Sequence, residues 1–142
     1  MPLYVLDTSA ILSVLYHEDG ADQVMEILIT LRGRSHQEGM GILVPFVALM
    51  EVEYWLLRRL SPSEVEESLV LVDSWPIRVR ESTPEWRHQA ARVKAMSRLS
   101  LADAWVAALA ILQRGMLVHK DPEFDQVDGL EMLRLPYKKG TA

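Results

Sequence analysis

Four acidic residues occupy positions at which carboxylates can do chemistry together. Asp7 and Asp121 each follow a short apolar run of the kind that forms a strand, whereas Glu51 and Asp103 lie in the early part of stretches with helical spacing. In an open parallel sheet, ligands bind beyond the carboxyl ends of the strands, where the next helices begin. Carboxylates gathered there suit a hard divalent cation such as Mg²⁺, which takes oxygen ligands and bridges to phosphate. The four acids are therefore candidate catalytic residues and metal ligands.

Three of the four acids also fit an ordinary role at the start of a helix. Asp7 could cap the helix that follows it, and Asp121 stands before Pro122, a common way for a helix to begin. Asp103 follows Ser100 by three residues, which resembles a capping box with Asp in place of Glu. An acid in the first turn also interacts favourably with the helix dipole. From the residues alone, capping and metal binding both stay open for these three acids.

Glu51 is harder to explain by local structure. It lies within Phe46–Leu57, which is apolar almost all round and therefore predicts a buried helix. A buried carboxylate needs a basic partner or a metal, because burying it unpaired costs several kcal/mol or leaves it protonated. Glu53 lies roughly 200° from Glu51 around such a helix, so only one of them can face the site. A neighbouring Arg58 or Arg59 could pair with Glu53 and leave it structural.

Short apolar strands alternate with helices along the whole chain, and this order predicts an α/β fold with a mainly parallel sheet of four or five strands. The predicted strands are Tyr4–Leu6, Ile42–Val44, Ile77–Val79, Met116–Val118 and Leu130–Leu133. The predicted helices are Ala10–Tyr16 (opened by Thr8 and Ser9), Ala21–Leu31, Pro45 to about Leu60, Pro62 to about Ser74, Pro84 to about Leu99, and one from the cap Ser100 to Gly115. Residues 32–41 are predicted to form a loop.

The composition is that of one small domain. The 142 residues suit a single domain over 1–142, with a polar tail from about residue 136. The absence of cysteine excludes disulfides, zinc–thiolate sites and cysteine nucleophiles. No signal peptide is recognisable and no apolar run approaches the ~20 residues that span a bilayer, so we expect a cytoplasmic protein. The net charge of −5 counts against nucleic-acid binding unless bound cations neutralise some of the acids.

Other catalytic patterns are missing from the sequence. It contains no GxxxxGK[ST] phosphate loop, no GxGxxG turn and no GxSxG elbow. The histidines show no metal-ligand spacing, and only His119 comes near a candidate acid. A structural or incidental role is therefore expected for His119.

Four segments resemble the motifs of PIN domains, in the same order. They are Val5–Ala10, Val44–Tyr54, Ser100–Ala104 and Leu117–Phe124. The matching acids are Asp7, Glu51 rather than Glu53, Asp103 and Asp121. The resemblance covers nearly the whole chain, and the small size is most similar to the VapC toxins of toxin–antitoxin pairs.

The resemblance implies a three-layer α/β/α sandwich and an endoribonuclease that depends on Mg²⁺ or Mn²⁺. It also implies an RNA substrate, a homodimer and a cognate antitoxin that inserts a peptide near the site. Thr8 or Ser9 would assist the site through a hydroxyl hydrogen bond. His119 departs from the family, which often has Thr or Ser there, and this puts support of Asp121 in doubt. Asp125, one helical turn beyond Asp121, is a candidate auxiliary ligand.

These features lead to two hypotheses of different class. The first is a metal-dependent endoribonuclease, the toxin of a toxin–antitoxin pair. The second is a PIN-like binding or assembly module with little or no catalytic activity, which His119 and the acidic net charge motivate. For the dimer, Trp55, Leu56 and Leu60 could extend an exposed apolar surface or could belong to the core.

Overall fold

The computed structural model describes residues 3–33 and 39–137 of the chain. The centre of the loop predicted at 32–41 and most of the tail predicted from about 136 lie outside the described residues. The strands are β1 (Leu3–Leu6), β2 (Gly41–Pro45), β3 (Arg78–Arg80), β4 (Met116–His119) and β5 (Met132–Arg134). The helices are α1 (Thr8–Leu15), α2 (Ala21–Thr30), α3 (Phe46–Arg59), α4 (Pro62–Asp73), α5 (Pro84–Ala95) and α6 (Leu101–Gln113), with a 3₁₀ helix at Pro122–Gln126.

The five strands form one parallel sheet in the order β3-β2-β1-β4-β5. The central strand β1 pairs with β2 on one side, where Val5 lies opposite Leu43, and with β4 on the other, where Val5 lies opposite Leu117. Consecutive strands run in the same direction because a helix returns the chain after each one, as the alternation in the sequence predicts. The predicted fold class is confirmed.

Alternating residues of the strands face two separate apolar cores. Leu6, Ile42 and Val118 pack with the helices α1 to α4 on one face of the sheet. Their neighbours Val5 and Leu43 pack with α5 and α6 on the other face. Because successive side chains of a strand point to opposite faces, this arrangement makes the three-layer α/β/α sandwich.

Several element ends differ from the predicted ones. Pro45 is the last residue of β2 and caps α3, so this helix begins one residue later than predicted. Helix α5 ends at Ala95 rather than near Leu99, because the backbone N–H of Arg98 donates to the Gln126 side chain instead of continuing the helix. Helix α6 ends at Gln113, where Arg114 takes a left-handed conformation with φ of 52°. The strands β3 and β5 also begin later in the chain than predicted.

The prediction that α3 is buried all round is wrong. Val52 and Leu56 are buried against the core, but Met50, Tyr54 and Leu57 are at least half exposed. The helix therefore has a buried face and a solvent-exposed face, and apolar residues lie on both. In the part of the chain that the structure describes, no helix is long and apolar enough to cross a membrane.

Candidate metal centre

Asp7 lies where β1 ends and α1 begins, and it is almost completely buried. Its Oδ2 accepts hydrogen bonds from the backbone N–H of Ser9 (3.3 Å) and from the Ser9 hydroxyl (2.6 Å), so it caps α1. Its Oδ1 is buried and has no hydrogen-bond partner among the described residues. Burial raises the pKa of Asp7 to about 6, although the bonds from Ser9 oppose this shift. Oδ2 therefore caps the helix, while Oδ1 could bind a ligand.

Glu51 lies in the second turn of α3, the helix that follows β2, and its charge acts on Asp7. Its Oε1 accepts a hydrogen bond of 2.9 Å from the Thr8 hydroxyl, so its local partner is a neutral group. Thr8 and Ser9 thus place their hydroxyls on two different carboxylates of the candidate site. The hydrogen bond from Thr8 orients the Glu51 carboxylate but does not neutralise its charge.

The suggested pairing of Glu53 with an arginine is wrong. Glu53 is exposed, and no ion pair joins it to Arg58 or Arg59 in the described residues. The guanidinium of Arg58 lies 5.7 Å from the centre of the Tyr54 ring, and that of Arg59 lies 3.6 Å from the centre of the Trp55 ring. Exposed Glu53 needs no partner, because water solvates it.

Three neighbouring carboxylates act on Asp103. The Ser100 hydroxyl caps α6 by accepting from the Asp103 backbone N–H (3.1 Å), which places the Asp103 side chain in the first turn. Burial, together with the charges of Asp7, Asp121 and Glu51 in that order, raises the pKa of Asp103 to about 7. The three other predicted ligands therefore all contribute to the raised pKa of Asp103, although they come from three different parts of the chain.

Asp121 follows β4 and caps the 3₁₀ helix by accepting from the Glu123 backbone N–H (2.9 Å). Its own backbone N–H donates to Nδ1 of His119 at 3.0 Å. His119 is fully buried, and its ring lies edge-on to Phe124 with 5.0 Å between the ring centres. Burial lowers the pKa of His119, so the neutral ring can accept this bond. The residue that departs from the family thus supports the backbone of Asp121.

Ser9 joins the two strand ends that carry Asp7 and Asp121. Its hydroxyl donates to Asp7 and also accepts from the backbone N–H of Lys120 at 2.9 Å. This contact spans 111 positions of sequence, and no local pattern indicates it. Ser9 was predicted only as a helper of the site, so its link to the chain after β4 was missed.

Asp125 pairs with an arginine. One of its oxygens lies 2.8 Å from a guanidinium nitrogen of Arg134, in an ion pair that is about half exposed. The structure therefore brings together four of the predicted acids and gives Asp125 another partner.

The four carboxylates fit a divalent cation by donor type and charge. Asp7 has a buried oxygen without a partner among the described residues, and burial together with three neighbouring carboxylates raises the pKa of Asp103, so the site has an excess of negative charge. Within the described residues, no three acids or histidines are already placed to hold one ion. Mg²⁺ keeps several waters when it binds carboxylates, so direct contact with all four is not required. Residues Asp7, Glu51, Asp103 and Asp121 are the ones that could hold such an ion.

Comparison with protein families identifies one domain in the chain. The sequence profile described as the PIN domain matches residues 4–130, which include all four carboxylates. No curated relative matches the chain.

Solved structures with the same fold are distant in sequence. The chain is similar to VapBC2 from Rickettsia felis, solved with a DNA fragment from its promoter, with a TM-score of 0.77, 15% identity and coverage of 94% of this chain and 99% of that chain. DNA-bound VapBC from Salmonella typhimurium gives a TM-score of 0.71, 17% identity and coverage of 94% and 98%. VapC20 from Mycobacterium tuberculosis, a sarcin–ricin loop cleaving toxin, gives a TM-score of 0.66, 18% identity and coverage of 92% and 98%.

Proposed function

This chain belongs to the PIN-domain family, and from that premise we propose that it is a Mg²⁺- or Mn²⁺-dependent endoribonuclease, the toxin of a toxin–antitoxin pair. One observation supports the activity above the others: Asp103 is partly buried beside three further carboxylates, which together with burial raise its pKa, while an oxygen of Asp7 is buried without a partner among the described residues. A site with this excess of negative charge is costly unless it binds cations. Such cations would also allow an acidic protein to approach RNA phosphates.

The roles of the residues follow from their positions. Asp7, Glu51, Asp103 and Asp121 would hold the ion, which when bound supplies a water of lowered pKa and offsets charge on the scissile phosphate. Thr8 orients Glu51 through its hydroxyl bond of 2.9 Å. Asp7 and Asp121 stand after strand ends, Asp103 in the first turn of α6 and Glu51 in the second turn of α3, so the fold holds them in place before RNA arrives.

Ser9 and His119 act as positioning residues. Ser9 fixes Asp7 relative to the chain after β4, and His119 fixes the backbone N–H of Asp121. Replacement of the usual small hydroxyl by His119 is thus compatible with an ordered Asp121. The proposal therefore does not require the rival binding-module hypothesis to explain this residue.

The proposed partners are an antitoxin protein and a second copy of the chain, both in the cytoplasm. Similarity to several VapBC structures supports an antitoxin partner. For the dimer, Leu56 is buried in the core and cannot contribute, whereas Met50, Tyr54 and Leu57 form the exposed apolar part of α3. Light scattering should give twice the monomer mass at micromolar concentration, and a monomer there would contradict the dimer.

The activity is tested with purified protein and labelled single-stranded RNA, in Mn²⁺ and in EDTA. We expect cleavage only with Mn²⁺, and a loss of at least about 100-fold in Asp103→Asn, because the cation loses its central ligand. Asp73→Asn, which changes an exposed aspartate on α4, is the matched control and should cleave like wild type. Cleavage that persists in EDTA, or in Asp103→Asn, would contradict the proposal. Mn²⁺ binding without any cleavage would favour the binding-module hypothesis.

Asp125→Asn decides whether Asp125 assists the metal. Because Asp125 already pairs with Arg134, we expect this variant to keep cleavage within about twofold of wild type. A loss comparable with that of Asp103→Asn would instead place Asp125 among the ligands.

A further inference from the structure

A groove of about 570 Å³ opens beside the carboxylates, between α1, α3 and the segments that follow β4 and β5. We call it the aromatic groove and define it by Ser9, Tyr16, Trp55, Arg59 and Tyr137. Its size falls within the range of ordinary small-molecule sites, roughly 300–1,000 Å³. None of the roles assigned above uses its aromatic side chains.

The aromatic side chains of the groove are accessible. Tyr16, Trp55 and Tyr137 are each 37–38% exposed, and they come from three different parts of the chain. Exposed aromatic rings that converge on one groove provide flat apolar surfaces at little cost in conformational entropy. The groove therefore suits a flat ligand that stacks.

Arg59 adds a second flat surface to Trp55. Its guanidinium lies 3.6 Å from the centre of the Trp55 ring, and its Nη1 donates to the Trp55 carbonyl at 3.3 Å. Both residues line the groove, so the guanidinium is held in a stacked position there. Guanidinium planes and aromatic rings are the two side-chain surfaces on which unpaired bases stack.

The charge of the groove differs from that of the whole chain. Lys120 and Glu18 both line the groove and lie 3.8 Å apart, and Lys120 also donates to the Asp19 carbonyl (2.8 Å), so these two charges offset each other. Arg59 forms no ion pair within residues 3–33 and 39–137, so its charge is available to a ligand. A chain of net charge −5 thus presents a free cation beside its carboxylates, which is complementary to a phosphate-bearing ligand.

The groove also joins the candidate metal centre. Ser9 lines it, and the same Ser9 hydroxyl donates to Asp7 at 2.6 Å. Lys120 and Pro122, the residues on either side of Asp121, line it as well. A nucleotide in the groove would therefore have its phosphate close to the carboxylates.

We propose that the aromatic groove binds one unpaired base of the RNA substrate, stacked on the Trp55–Arg59 pair, next to the phosphate that is cleaved. This inference rests on the proposed ribonuclease function and names a subsite for it. A base within a duplex cannot enter such a groove, so the subsite confers a preference for single-stranded RNA.

The second arginine–aromatic pair of α3 provides a matched control. Arg58 and Tyr54 lie one position earlier, are also exposed, and line a different groove with Met50 and Leu57. We would measure binding of fluorescein-labelled single-stranded RNA of randomised sequence by anisotropy, in an Asp103→Asn background to prevent cleavage. Trp55→Ala and Arg59→Ala should weaken binding by about 10-fold, because stacking on one base contributes roughly that much. Tyr54→Ala and Arg58→Ala should change it by less than twofold.

Two further readouts separate stacking from a loss of folding. Circular dichroism should show the same helix content in all variants, and Trp55→Phe should keep most of the affinity because it keeps a ring. RNA should quench tryptophan emission in the parent protein but not in Trp55→Phe.

The outcomes distinguish failure of the subsite from failure of the function. If wild type cleaves RNA while Trp55→Ala and Arg59→Ala bind as tightly as their controls, the base-binding proposal is overturned and a protein partner becomes the better occupant. If wild type neither binds nor cleaves any RNA in the pool, the ribonuclease proposal fails, and the subsite fails with it.

Discussion

The core under α5 and α6 and the carboxyl edge of the sheet differ in how well their polar groups are satisfied. Under α5 and α6, Trp86 is buried with its indole N–H donating to the Trp105 carbonyl at 2.7 Å, and its ring meets Phe46 and Trp105 edge-on at 5.6 and 5.0 Å. At the carboxyl edge of the sheet, Asp7 has a buried oxygen without a described partner, and Asp103 is repelled by its neighbours. The first region has satisfied groups and stabilises the fold, whereas the second costs stability and is available for a ligand.

Removing a side chain from the satisfied region should have the largest effect on stability. Trp86→Ala should lower the free energy of unfolding by roughly 3–5 kcal/mol, because it leaves a cavity and removes the bond to Trp105. Urea unfolding followed by circular dichroism measures this. A loss below about 1 kcal/mol would show that the tryptophan cluster contributes little.

Removing a charge from the candidate metal centre should have the opposite sign. Asp103→Asn should stabilise the metal-free protein by roughly 2 kcal/mol at pH 8, about half of what the full pKa shift corresponds to because solvent screens this partly exposed group, and by almost nothing at pH 4. The pKa of Asp103 is raised from 3.8 to about 7 in the folded protein, so the native state binds the proton more tightly than the unfolded chain. Wild type therefore loses this stability as the pH rises from about 4 through 7, and the variant does not. Urea unfolding in EDTA at several pH values would contradict this if the difference did not grow with pH.

Ser9 connects the costly region to the rest of the sheet, and its loss should have a smaller effect. Ser9→Ala removes two hydrogen bonds, one to Asp7 and one from Lys120, and should destabilise the protein by roughly 1–2 kcal/mol. Ser63→Ala, on the exposed first turn of α4, is the control and should change stability by less than about 0.5 kcal/mol. Equal effects of the two changes in a urea titration would contradict the role of Ser9 as a link.

The features of these two regions that depend on local sequence pattern could be predicted from the sequence. The alternation of strands and helices predicts the parallel sheet, and strand ends place Asp7 and Asp121 at the same edge. For Asp7, the sequence leaves helix capping and metal binding open as alternatives. In the structure, one carboxylate oxygen caps α1 and the other has no partner among the described residues, so the two roles are compatible. The pattern of the residues could not distinguish these cases.

Features that depend on distant contacts were beyond sequence reasoning. The exposure of Met50 and Tyr54 depends on which face of α3 the sheet covers, and an apolar pattern on all sides does not reveal that face. The early end of α5 depends on the Gln126 side chain, which is 28 positions away from Arg98. Both are tertiary effects that override local preference.

The central claim is that the carboxylates at the edge of the sheet bind a divalent cation, and calorimetric titration with Mn²⁺ tests it most directly. Wild type and Glu53→Gln should bind Mn²⁺ at about millimolar concentration or below, since exposed Glu53 takes no part in the site. Glu51→Gln, which can keep the bond from Thr8 but loses its charge, should bind at least about 10-fold more weakly. Equal affinity in the two glutamine variants, or no binding by wild type at millimolar Mn²⁺, would contradict the account.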